Sequence, residues 1–151
     1  MKYLMILTTT MSILASTAFG QTYDKEYTVN YINSKTTDDC KVLIEKKNIR
    51  IEFYSDGNPV RIDYIFPESI DYENSLAYSE DEGALVFKCY SEAGKCINRE
   101  IPKHGSKLIY DRSNLLLDCT TEEGEAIAEA GKHLIQLYID KRHTRSEPFD
   151  K

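Results

Sequence analysis

The 151-residue chain has no tryptophan and only three histidines. It contains no Gly-x-Ser-x-Gly, no His-Glu-x-x-His and no phosphate-cradling glycine loop, so the signatures of common serine hydrolases, zinc peptidases and nucleotide-binding folds are missing. None of the histidines has a nucleophile pattern around it. His104 follows Pro102 and Lys103 in a turn-like segment, His133 sits beside the apolar stripe of the last helical stretch, and His143 falls where a helix-end cation suits the dipole. There is no repeat of solenoid period and no low-complexity tract, and beyond residue 20 no apolar run could span a bilayer. Basic patches with interleaved aromatics, the footprint of nucleic-acid binding, are lacking as well. No two cysteines are separated by two residues, which removes the usual redox motif.

What is present begins with a leader. "MKYLMILTTTMSILASTAFG" carries one charge, Lys2, then a mostly apolar run, then small residues, the layout of a secretory signal. Ala18 and Gly20 fit a cleavage after Gly20. Removal of residues 1–20 leaves 131 residues and a net charge of −7, because Lys2 is the only charge lost from a chain of −6. An acidic domain repels nucleic acid and anionic membrane surfaces in the mean field. A chain this long makes one domain, expected over 21–143, with a frayed tail over 144–151.

The residue pattern predicts an α+β fold. A short helix is expected within 22–35, capped by Thr22 or Asp24, with Tyr27, Tyr31 and Ile32 at helical spacing. Ile49, Ile51 and Phe53 then alternate with Arg50, Glu52 and Tyr54. Beyond Asp56-Gly57-Asn58-Pro59 the alternation resumes, with Val60, Ile62, Tyr64 and Phe66 on one face and Arg61 and Asp63 on the other. This is a hairpin signal. "KVLIEK", "GALVFKCY", "CINREI", "KLIYD" and "NLLLDC" read as further strands, and the polar "SIDYENSLAYSE" as an edge or long loop. From Thr120 the period changes to helical. Ile127, Ala130, Leu134, Leu137, Tyr138 and Lys141 form a stripe, Thr120 with Glu123 fits a capping box, and Gly131 would let the helix pack closely on a sheet. The expected order is a short helix, about seven mainly antiparallel strands, and a long amphipathic helix covering one apolar sheet face.

This layout resembles a pleckstrin-homology-like β-roll of seven strands capped by a C-terminal helix; an open sheet with its helices on one face fits the same order. It is also similar to small secreted bacterial proteins of unassigned function, through a "QT" mature start and a "YIN" first helix. In phosphoinositide-binding members of the roll family, basic residues near the first hairpin hold phosphates. Lys46, Lys47 and Arg50 loosely resemble that set, but Glu45 and Glu52 flank them and a solvated turn accounts for them.

Four cysteines behind an export signal read as a disulfide framework. They allow three pairings. Proximity favours Cys89 with Cys96, which leaves Cys40 with Cys119. In a simple hairpin, direct opposition of Cys89 and Cys96 would split the apolar residues between two faces, with Leu85 opposite Glu100; a one-residue shift or a bulge would regroup them. The sequence leaves this open. The gap between Cys89 and Cys96 is looser than in common zinc sites. The acidic pairs and triplets at Asp38-Asp39 and Glu80-Asp81-Glu82 lack the spaced ligands of a calcium loop and read as solvated turns. No cofactor, metal or catalytic residue is therefore expected.

Tyrosine is the one excess, with eleven copies against five phenylalanines. Tyr54, Tyr72, Tyr78 and Tyr90 fall at expected loops or outer faces and are the candidate binding surface. The resulting expectation is an exported, disulfide-stabilised, non-catalytic domain that binds a protein or small ligand in the periplasm or outside the cell. The alternatives are an inhibitor or immunity-type partner of a secreted enzyme, a carrier with an apolar pocket between sheet and helix, and a hydrolase with no sequence signature.

Overall fold

The computed structural model describes residues 23–143. The expected signal at 1–20 and tail at 144–151 lie outside the described residues. Helix α1 is Lys25–Asn33, and the Asp24 carboxylate caps it by accepting the Tyr27 amide at 2.8 Å. Its buried side is Thr28, Val29 and Ile32. Tyr27 and Tyr31 instead face outward, 55% and 40% exposed. α1 packs on the last helix and the first strand, where the compact side chains fit without burying a phenol hydroxyl that would need a partner.

The strands are β1 Cys40–Ile44, β2 Ile49–Ser55, β3 Asn58–Ile65, β4 Ala77–Ser79, β5 Ala84–Lys88, β6 Ile97–Ile101, β7 Ser106–Tyr110 and β8 Arg112–Leu116. They form two antiparallel sheets rather than one: β1-β2-β3-β6-β7 and β4-β5-β8. The fold is α+β, as the pattern predicts, with eight strands among the described residues. The β2–β3 hairpin turns at Asp56 and Gly57, with φ of 52° and 75°, the positive pair that a tight hairpin demands. A register shift at Phe53/Tyr54 follows.

Alternation along β3 holds, but its buried side is the unexpected one. Ile49 pairs with Ile65 and Ile51 with Asp63, so Asp63 and Ile65 are fully buried while Val60 stays 41% exposed. The apolar row of Val60, Ile62, Tyr64 and Phe66 therefore lies on the outer side. Asp63 can occupy the core because charged partners wait there, as described below.

β5 and β6 do not form a hairpin. β5 pairs with β4 and β8, and β6 pairs with β3 and β7. The chain crosses from one sheet to the other between Cys89 and Cys96, so the register question posed by the sequence does not arise.

Helix α2, Thr121–His143, closes the fold. Its capping box is formed: Glu123 accepts the Thr120 amide at 2.9 Å, and the Thr120 hydroxyl accepts the Glu123 amide at 3.3 Å. The buried stripe is Ile127, Ala128, Leu134, Ile135 and Tyr138, with Ala130 and Leu137 only half-buried at its margin. A β-carbon on Gly131 would come within 3.1 Å of both Leu76 and Leu85, so this glycine does bring the helix close to the second sheet. Ile32 of α1 and the inner residues of both sheets complete one continuous core. No helix of the described residues is long and apolar enough to cross a membrane.

Candidate binding surfaces

The Cys89–Cys96 disulfide, with Cα atoms 5.8 Å apart, pins the crossover between the sheets. The Cys89 amide donates to Asp111 O at 2.9 Å and the Cys96 amide to Tyr110 O at 3.0 Å. Those two residues are the corner where β7 passes into β8, so one staple holds both crossings. A disulfide together with the absence of a membrane-spanning helix among the described residues is compatible with a periplasmic or extracellular protein. The second expected pair is not formed. Cys40 is a buried free thiol donating to Leu116 O at 3.2 Å. Cys119 is a half-buried free thiol beside Tyr78 and Glu123. The two sulfurs are engaged with different neighbours, and burial pushes both thiols up, away from the reactive thiolate.

The most heavily built polar cluster lies between the sheets. Arg99 on β6 holds Asp63 through two bonds of 2.7 and 2.9 Å. Arg61 adds bonds of 3.0 and 3.1 Å and an ion pair to the same carboxylate. Ser113 on β8 donates its hydroxyl from the other sheet at 2.5 Å. The guanidiniums lie over the rings of Phe53 and Tyr110, at 4.1 and 3.9 Å. Burial pushes the Asp63 carboxyl up, but the bonds from Arg99, Arg61 and Ser113 outweigh it and leave the group below its usual range. A carboxylate held in this way neither gives nor takes a proton near neutral pH. Its role is to tie the sheets together.

A second feature is open to ligands. Tyr23, Tyr27 and Tyr31 follow one another at four-residue spacing and are all at least 40% exposed. They form one wall of a groove of about 360 Å³ whose other wall is Glu129, Ala130 and His133 of α2. The Tyr23 and Tyr27 rings stack with centroids 4.5 Å apart. His133 Nε2 donates to Tyr23 O at 2.8 Å and fixes the start of the row against α2.

The four tyrosines chosen from the sequence are scattered and half-buried. Tyr54 bonds Glu52, which pushes its phenol up. Tyr72 donates to Gln136 at 2.7 Å and so joins the β3–β4 connection to α2. Tyr78 packs flat on Gly124. Tyr90 lies near Tyr72, and its amide donates to Ser69 O at 3.1 Å. The exposed row on α1 was visible as spacing, but the same spacing also describes a buried stripe.

Comparison with known proteins finds no significant match, whether among protein families, curated proteins or solved structures. Arg50, Glu80 and Glu82 of the charged motifs are locally paired. Arg50 pairs with Glu45 at 2.9 Å and with Glu52 at 3.1 Å. Glu82 takes Arg112 and Asn114, and Glu80 accepts the Thr121 hydroxyl at the start of α2.

Proposed function

We propose that this chain is an exported, non-catalytic binding domain that engages a protein or small ligand in the periplasm or outside the cell. The observation that carries this reading is the exposed row of Tyr23, Tyr27 and Tyr31 along the α1–α2 groove. Tyrosine supplies large contact area at low conformational cost, and rows of it on a rigid frame are typical of recognition surfaces. The frame here is rigid for stated reasons: a pinned sheet crossing, a bonded ionic cluster and a capped helix. A non-catalytic role is further supported by the fate of the obvious reactive groups, since Asp63 is held by cations and Cys40 is buried.

The test is affinity capture from envelope extract with the untagged-N-terminus protein immobilised through its C-terminal end, compared with a Tyr27→Ser/Tyr31→Ser variant. Both side chains are exposed, so the variant folds. A partner retained by the natural chain and lost by the variant supports the reading. Identical capture profiles, or turnover of a substrate by the isolated protein, refute it.

A further inference from the structure

β7 is an outer strand of the larger sheet. Its ladder with β6 runs from Ser106 opposite Ile101 to Tyr110 opposite Ile97, and no described strand pairs with its other side. Such an edge offers a row of backbone donors and acceptors to solvent. Leu108 and Ile109, adjacent on this strand and so on opposite faces of it, are 46% and 54% exposed. A groove of about 420 Å³ runs beside them along β6 and β7, with Tyr64, Asn98 and Lys107 in its lining. β1, against which α1 packs, is the opposite edge of the same sheet, so this surface is distinct from the tyrosine groove.

Charge marks the same edge. From Lys95 to Arg112 there are five basic residues and two acidic ones, a net of +3 within a chain of −6. Arg99 and Arg112 are committed to Asp63 and Glu82. Lys95, Lys103 and Lys107 are exposed, and none forms an ion pair with another described residue. Lys103 precedes β7, Lys107 lies on it, and Lys95 precedes the strand that β7 pairs with.

We propose that β7 is a docking edge for an extended, acidic segment of a partner protein. The segment adds as a sixth strand. Its backbone completes the open ladder, its apolar side chains cover Leu108 on one face, and its carboxylates meet Lys107 on the other face, which Ile109 shares, with Lys103 at the start of the strand. A second copy of this chain is a poor occupant. Antiparallel pairing of two β7 strands about Leu108 sets each Lys107 diagonally across from its counterpart, at roughly 7–8 Å, while its register partner Glu100 lies on β6, on the far side of the new seam.

The experiment is an NMR titration of the isotopically labelled protein at low salt. The probe is an N-acetylated, C-amidated heptapeptide alternating glutamate and valine; the control has lysine in place of glutamate. The glutamate peptide should shift and slow the exchange of β7 amides, and the control should not. K103E/K107E should weaken binding about tenfold. On an edge strand successive amides point alternately inward and outward, so Leu108→Pro and Ile109→Pro differ. The variant that loses the outward amide keeps the fold and loses the peptide. No binding at millimolar peptide, equal binding of the lysine control, full binding by both folded proline variants, or concentration-dependent protection of β7 without peptide would each overturn the proposal; the last would make the occupant a second copy.

Discussion

Gly124 lies flat against the ring of Tyr78: a β-carbon built on Gly124 would stand 2.5 Å from the ring carbons. This contact seats the first turn of α2 on β4. Alanine at position 124 gains up to about 1 kcal/mol of helix propensity, yet the ring must move to admit it. We expect Gly124→Ala to destabilise the protein by about 1–3 kcal/mol in urea denaturation. In the Tyr78→Ala background the same substitution should cost far less, because the obstacle is gone. Additive costs in this double-mutant cycle would show that the contact is incidental.

Asp63→Asn should cost about 3–5 kcal/mol, since it leaves two guanidiniums half-buried without their carboxylate. Folding lowers the Asp63 pKa, so the charged form favours the folded state. The stability this confers is complete above the unfolded pKa and drains away as pH falls through the folded value. Thermal unfolding measured below about pH 4 should therefore be steeper in pH for the natural chain than for the asparagine variant. Parallel curves would exclude Asp63 as a source of acid sensitivity.

The cysteines give a mass-spectrometric prediction. Alkylation of the folded, unreduced protein should modify Cys119 first, and unfolding without reductant should expose Cys40 as the second and last site. Cys89 and Cys96 should react only after reduction, which should cost roughly 2.5 kcal/mol for so short a loop. Protein isolated with no reactive thiol would instead carry the Cys40–Cys119 bond that the sequence suggests.

Tyr138 should titrate last among the tyrosines. Burial pushes its phenol up to about 12, and the hydroxyl donates to Glu45 O at 2.8 Å and Asn48 O at 3.0 Å. A phenolate cannot make those bonds. Because folding raises this pKa, the folded chain binds more protons than the unfolded one between about pH 10 and 12, and stability falls across that window. Phenolate absorbance should show one late step that Tyr138→Phe removes.

Local chemistry was legible in the sequence. The Asp24 cap, the Asp56-Gly57 turn and the Thr120–Glu123 box each rest on residues within four positions of one another, where period and hydrogen bonding decide the outcome. Long-range choices were not. Nothing near β5 or β6 says that they belong to different sheets, so their shared disulfide looked like the foot of a hairpin. Asp63 looked solvent-facing because two of the three residues that hold it, Arg99 and Ser113, are 36 and 50 residues away. The spacing of Tyr27, Tyr31 and Ile32 marks a helix but not which of its sides is buried, and only the smaller Thr28, Val29 and Ile32 fit against α2 and β1.

The Asp63 cluster also bears on how kinship could be traced. Three distant positions, one on each of β3, β6 and β8, carry a charge, its counterion and a hydroxyl that make sense only together. A diverging descendant that loses the acid gains nothing by keeping Arg99 and Ser113, so the trio should be inherited or replaced as a unit. Ancestry in such chains would be written in that coordinated substitution long after the hydrophobic pattern had drifted beyond recognition.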